Sequence, residues 1–207
     1  MYTVMISGGI ASGKSYAADY LSAKYNTALV KLDDVAKELM YPGSDLNLQV
    51  ASAYGDDVLD EDGAIIRPLL AERAFATDTA SEALNKITQP AIEQYLTDYL
   101  VAPYCTTIRP DFCIVEYPLL ATIPKLREYA DVVLVIIAPY SQRVQRMFNR
   151  GMDETDALHR IAIQPTDGDY ELYAHFVINN DETKEAFEAR LDAWWNAHVA
   201  PKALPLD

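Results

Sequence analysis

Cysteine is nearly absent, with two residues, Cys105 and Cys113, in a chain of 207. Two cysteines are too few for a disulfide framework and lack metal-ligand spacing, so reduced thiols in a cytosolic protein are expected. Histidine is as sparse. His159, His175 and His198 show no ligand spacing, which argues against a catalytic metal of the zinc type. Long apolar runs are missing too. The longest, residues 132–138, falls far short of the roughly 20 residues that a membrane span needs. The N-terminus has no basic region and reaches Gly8 before a signal-length apolar core can form. These absences predict a soluble, cytoplasmic chain with no membrane partner. Positive charge is also scarce: 17 Lys and Arg stand against 31 Asp and Glu, a formal charge of −14. A field of that sign repels nucleic acid and anionic membrane, so neither is an expected partner. It repels nucleotides as well, so any phosphate site must be built locally.

What remains is ordinary for a globular protein, with 50% hydrophobic and 23% charged residues, and a chain this size can bury roughly 70% of its unfolded surface. Residues 3–7 form a short apolar run closed by Gly8-Gly9, as a buried strand would be. A helix is predicted over 16–25 and a second strand over 27–32, ending at Asp33-Asp34. From Val35 to about Val101 the pattern is helical, broken at Pro42-Gly43, at Gly55, at the acidic turn 60–63 and at Pro90. The acids of 56–62 read as a solvated loop. Strands return at 112–116 and 131–137, both continuous apolar runs of the kind buried on two faces. Helices follow over 141–150 and 154–164, then a loop at 165–169, a short strand at 176–178 and a closing amphipathic helix over 182–198. Alternating strands and helices predict a parallel sheet, here of five strands, covered on both sides. The segment between the second and third strands is too long and too helical for a simple crossover, and reads as an inserted helical subdomain.

Gly8-Gly9-Ile10-Ala11-Ser12-Gly13-Lys14-Ser15 fits G-x-x-x-x-G-K-[ST], with a strand before it and a helix after it. Glycines let backbone N–H groups curl around phosphate oxygens, and the next helix offers its positive N-terminus. Lys14 reaches the β/γ-phosphates and Ser15 holds Mg²⁺. This is a nucleotide site, and its local cation and dipole answer the charge problem. The strand at 112–116 ends in Glu116, which either assists Mg²⁺ or is a solvated strand end. Asp33 and Asp34 close the second strand, where one could act as a base toward an acceptor hydroxyl or cap the helix from Val35. Arg143, Arg146 and Arg150 share one helix face in a stretch without acids. They suit phosphate, or they form a solvated face paired with nearby acids.

The ordered set of short motifs resembles dephospho-coenzyme A kinases along nearly the whole chain. Besides Gly8–Ser15, Asp33-Asp34-Val35-Ala36-Lys37 stands at the family's Asp-x-x-Ala-Arg segment. Tyr41-Pro42-Gly43, Tyr54-Gly55, Asp62-Gly63 and the stretch from Arg67 to Phe75 follow its helical part in order. Leu84 to Pro90 resembles Leu-Asn-x-Ile-x-His-Pro, Pro118-Leu119-Leu120 its Pro-Leu-Leu, and 142–164 its lid region. The resemblance implies an α/β fold, a P-loop NTPase core (1–38 and 108–207, with a lid at about 142–170) carrying a helical substrate subdomain (39–107). It implies ATP-dependent phosphorylation of the ribose 3′-hydroxyl of dephospho-CoA, with ATP and Mg²⁺ as cofactors, a small-molecule substrate, and a monomer or small homo-oligomer. Asp33 falls on the catalytic base, with Lys14 and Arg150 beside it in the chemistry. Residues 8–16, from Gly8 to Tyr16, together with Arg146 would bind ATP. Asp33, Lys37, Arg67, Gln89, Pro118 and Leu119 would bind the acceptor, and Ser15 and Glu116 the metal. Lys37 replaces an arginine, Gln89 a histidine and Ala11 a frequent glycine. Tyr16 replaces a small hydroxyl residue, and Asp167 and Tyr170 stand where relatives tend to carry arginine. These departures keep two alternatives open: a P-loop kinase for another nucleotide or nucleoside, and a nucleotide-binding protein with weak or lost kinase activity.

Overall fold

The computed structural model describes residues 1–101 and 110–203, so Cys105 lies outside the described residues. In chain order the elements are β1 (Tyr2–Ser7), α1 (Lys14–Tyr25), β2 (Ala28–Lys31), α2 (Leu32–Leu39), α3 (Asp45–Tyr54), α4 (Arg67–Ala74) and α5 (Asp78–Val101). Then come β3 (Phe112–Glu116), β4 (Val132–Ile137), α6 (Tyr140–Phe148), α7 (Glu154–Ala162), α8 (Asp167–Glu171), β5 (Phe176–Asn179) and α9 (Lys184–His198). The described chain divides into two compact units, residues 1–31 with 110–203, and residues 32–101. Among the described residues no helix is long and apolar enough to cross a membrane.

The first unit is built on one parallel sheet of order β2-β3-β1-β4-β5. β1, β3 and β4 are buried at nearly every position, which explains their unbroken apolar sequence: helices cover both faces, so no position needs to be polar. α1 and α9 supply one cover, where Leu21, Phe187, Leu191 and Trp195 pack on Val4, Ile6, Ile114 and Leu134. Trp195 stacks on Tyr25 at 4.7 Å and meets the edge of Phe112 at 5.3 Å. Each such large apolar side chain contributes about 1.5–3 kcal/mol on burial. The direction of chain progression reverses at β1 and β3, because β2 lies on one side of this pair and β4 on the other. In open α/β sheets, ligands bind outside the carboxyl ends of the strands at such a switch point. The glycine-rich loop leaves the end of β1, and Ile6 pairs with Glu116 at the end of β3. The two motifs therefore meet.

The helical unit has a small core of Val50, Leu70 and Ala74, with Met40, Tyr54, Ile65, Leu84 and Ile87 against it. Ser44 caps α3 by accepting from Asn47 N at 3.1 Å. Arg73 forks onto Asp57 and also donates to the carbonyl of Tyr54 at 2.5 Å. The bond from Arg73 holds the Asp57 carboxyl below the usual carboxylate range.

Three sequence expectations are corrected. The helical pattern does not break at Pro90, which lies inside the 24-residue α5. Its ring is exposed, so the one ladder bond it removes opens toward water, and packing of the flanking residues holds the helix together. The strand β2 ends at Lys31 rather than at 32, and α2 begins at Leu32, so Asp33 and Asp34 lie within the first helical turn instead of before it. The negative side chains there complement the helix dipole. Part of the loop expected over 165–169 is the short helix α8, opened by a capping box in which Thr166 and Asp169 bond each other's backbone N–H.

Candidate active site

The loop from Gly8 to Lys14 can curl only because its sequence permits unusual backbone angles. Gly13 has φ 108° and serves as the N-cap of α1 with no side-chain cap. Any β-carbon on it would lie 2.2 Å from Nδ2 of Asn180. Ala11, at φ 57°, is one of two non-glycine residues with positive φ among the described residues. A side chain in that region carries roughly 1–2 kcal/mol of strain, so the surroundings must hold it. They do. α6 and α7 seat Ala11 and Ile10 in a small apolar cluster with Met147, Ala157 and Ile161.

The arginine-rich helix face resolves into a specific arrangement. Arg143, only 6% exposed, donates from Nε to the carbonyl of Ile10 at 2.8 Å. Arg146 donates from Nη1 to the carbonyls of Ala11 and Ser12 at 3.1 and 3.2 Å, and from Nη2 to the carbonyl of Asn180 at 3.0 Å. Asn180 Nδ2 adds a second bond to Ser12 O at 2.8 Å. Three successive loop carbonyls are thus tied down by side chains of α6 and of the turn after β5. With its carbonyls fixed on one side, the loop presents its remaining N–H groups elsewhere, as a phosphate nest requires. Burial, and then the like charge of Arg150, lower the Arg146 pKa from its ordinary value. Arg143 and Arg146 are therefore not a solvated face. Arg150, past the end of α6, is exposed.

On the other side of the loop, Ser15 donates from Oγ to Oε1 of Glu116 at 2.5 Å. The pair joins the first turn of α1 to the end of β3, across 101 residues of sequence. Glu116 is 7% exposed, so it is not a solvated strand end. The first turn of α1 carries no acid of its own, and the Glu116 carboxylate on Ser15 is a negative group held against its positive end. Ser12 Oγ is fully buried, with no hydrogen-bond partner among the described residues. Half-buried Lys14 opens the same turn. Tyr16 extends away from the loop toward α9, where its hydroxyl bonds Glu188 and its ring stacks on Tyr20. Pro118 and Leu119 form the turn after β3, and Pro118 O accepts from the buried Tyr170 hydroxyl at 3.0 Å. Burial pushes the Tyr170 phenol up to about 12.

Within the helical unit, Asp33, Lys37 and Arg67 line one cavity of about 460 Å³ whose other walls are mostly apolar, among them Met40, Ile65, Leu70 and Phe75. Lys37 pairs with Asp34 at 2.5 Å. Gln89, in the middle of α5, is not among the lining residues.

A family model described as dephospho-CoA kinase matches residues 2–185. The chain belongs to the dephospho-CoA kinase family. It is 32% identical over 196 residues to the dephospho-CoA kinase of Corynebacterium diphtheriae, covering 94% of this chain and 96% of that one. The dephospho-CoA kinase of Corynebacterium jeikeium is 35% identical, with 94% and 98% covered. Among solved structures, the dephospho-CoA kinase from Campylobacter jejuni aligns with TM-score 0.65 and 20% identity, over 94% of this chain and 95% of that one. That likeness is one of fold, and it agrees with the P-loop core expected from sequence. Asn180, and Gln164, whose Oε1 accepts from the Ile10 N–H at 2.6 Å, were missed by sequence reasoning. For Asn180 a signal existed, since it follows the last strand at the sheet edge where α/β ligands sit; for Gln164 there was none.

Proposed function

We propose that this chain is an ATP-dependent kinase that phosphorylates the ribose 3′-hydroxyl of dephospho-CoA, giving coenzyme A and ADP. The observation that carries the reading is membership of the family across residues 2–185 in a chain whose phosphate loop is fully constructed. The residues fit the groups that the reaction needs. Uncapped N–H groups at the start of α1, the Lys14 ammonium and the pinned loop suit a triphosphate. The Ser15 hydroxyl and the Glu116 carboxylate offer hard oxygen donors for Mg²⁺. When bound, that ion neutralises charge on the phosphates.

In this reading the Asp33 carboxylate takes the proton of the 3′-hydroxyl as its oxygen bonds to the γ-phosphorus. The bond from that phosphorus to the bridging oxygen breaks, and ADP departs. Lys37 and Arg67, at the polar rim of an apolar cavity, suit the phosphate groups of a ligand whose remaining parts bury against Met40 and Phe75. Tyr16, with its hydroxyl on Glu188, contributes to nucleotide binding through its backbone. We read the enzyme as cytoplasmic, acting on a small molecule as a monomer or small homo-oligomer, with neither nucleic acid nor membrane as partner.

The test is ADP release from Mg-ATP with dephospho-CoA beside a panel of nucleosides and nucleoside monophosphates, for the wild type and Asp33→Asn. Turnover confined to dephospho-CoA and lowered roughly 10²–10⁴-fold in the variant, with ATP binding retained, is the expected result. Turnover only on another acceptor, or tight ATP binding without turnover on any, would overturn the proposal.

A further inference from the structure

Both backbone groups of Ile10 are held by side chains from the segment that follows β4. Its carbonyl accepts from Arg143 Nε at 2.8 Å, and its N–H donates to Gln164 Oε1 at 2.6 Å. Gln164 lies just beyond α7 and is partly buried. The same oxygen faces Arg143 Nη2 at 3.5 Å, and Asp167 Oδ1 faces Nη1 of the same guanidinium at 3.4 Å. Arg143 in turn lies over Gly9 so closely that a β-carbon there would be 2.5 Å from Nη2. The two peptide groups that flank Ile10 are thus held from two directions, immediately before the strained Ala11.

We propose that Gln164 is a positioning residue of the nucleotide site, fixing the Ile10 backbone and the Arg143 guanidinium together and so coupling the 153–171 segment to the shape of the phosphate loop. The proposal rests on the ATP-binding reading above. Physical necessity connects the steps. A residue whose own N–H and C=O are both engaged has the peptide groups on either side of it held, so neither can rotate without breaking a hydrogen bond, and the loop must keep one shape to present its other N–H groups to phosphate. Gln164 needs only an acceptor oxygen at its present length to do this. Asp167 balances the charge that Arg143 brings into the loop, which is why an acid is tolerated there.

The interaction is present before and during phosphoryl transfer, so its loss acts as lost uniform binding: KM rises and kcat holds. Gln164→Met keeps length and removes the acceptor. The double variant Q164E/D167N restores an acceptor at 164 and leaves the local charge unchanged. Two measurements are compared across wild type and both variants: amide hydrogen exchange of Ile10 in the nucleotide-free protein, and steady-state kinetics with ATP and dephospho-CoA. In Gln164→Met, Ile10 exchange should quicken roughly fivefold and KM for ATP rise by a similar factor. KM for dephospho-CoA and kcat should stay within about twofold of wild type. Q164E/D167N should return both values toward wild type. Unchanged Ile10 exchange, an unmoved KM for ATP in an active enzyme, or failure of the double variant to restore them would overturn the proposal. A wild type without kinase activity refutes the ATP-dependent reading instead, and the exchange comparison then decides the role of Gln164 alone.

Discussion

Arg146 separates two ways in which an arginine can serve a phosphate site. Its guanidinium could meet the nucleotide directly, or it could hold the loop that meets the nucleotide. The bonds from Arg146 to the carbonyls of Ala11, Ser12 and Asn180 favour the second. Replacing it with Met keeps an apolar stem and a good helix former on α6. Ser12 O retains Asn180 Nδ2, so the acceptors stranded are Ala11 O and Asn180 O. Each unsatisfied buried acceptor costs about 1–3 kcal/mol. Because Arg146 is only half-buried and water can partly replace it, a total near 3 kcal/mol is reasonable. For a domain of this size that lowers the melting temperature by roughly 6–12 °C. The assay is thermal unfolding of the nucleotide-free protein by circular dichroism, with Arg150→Met as control. Exposed Arg150 should move stability by no more than about 0.5 kcal/mol. If Arg146→Met melts with the wild type and only ATP affinity falls, the guanidinium acts on phosphate in solution and the staple argument is wrong.

The loop glycines should differ in kind. Gly8→Ala places a β-carbon 2.2 Å from the Ile136 carbonyl at φ 142°, a backbone clash that nothing nearby can relieve. Gly9→Ala meets side-chain atoms instead, the Arg143 guanidinium at 2.5 Å, which can shift by giving up its long contacts to Gln164 and Asp167 without moving backbone. Chemical denaturation should show Gly8→Ala losing several kcal/mol and Gly9→Ala markedly less, with equal losses contradicting the geometry. Tyr170 gives the pH prediction. Burial pushes its folded-state pKa up to about 12, above the ordinary tyrosine value of about 10, so the folded protein binds that proton more tightly than the unfolded chain. The stability it confers is complete below pH 10 and is lost as pH rises through 12, at up to roughly 1.4 kcal/mol per pH unit. Denaturation midpoints taken from pH 9 to 12 should therefore fall less steeply in Tyr170→Phe than in wild type. Parallel slopes would remove Tyr170 from the alkaline transition.

The parts of the fold that were readable from sequence are those whose signals are local. The glycine loop announces itself because its spacing, preceding strand and following helix all lie within about 25 residues. The strands β1, β3 and β4 were visible because burial on both faces leaves nothing but apolar residues. Distant pairings were not visible. Nothing near Glu116 says that it accepts from Ser15, which depends on β1 and β3 lying side by side with Ile6 opposite Glu116. Helical spacing put Arg143 and Arg146 on one face, but only the docking of α6 beside the loop turns that face toward carbonyl oxygens instead of solvent. The break expected at Pro90 failed for a related reason, since local propensity yields to packing when a proline ring can face out.

The acidity of the chain gives this arrangement its sense. With a formal charge of −14, exposed cations spread over the surface would do little to draw in a triphosphate. The positive potential is made inside the loop instead. Arg143 and Arg146 are spent on carbonyl oxygens, whose negative ends would otherwise face the phosphates. The first turn of α1 carries no acid of its own, while Asp167 offsets Arg143 from the outer side. An acid at 167 therefore need not weaken the site as it would if Arg143 bound phosphate directly. It pairs with a cation whose main work is structural, and the departure from family pattern at that position becomes consistent with retained activity.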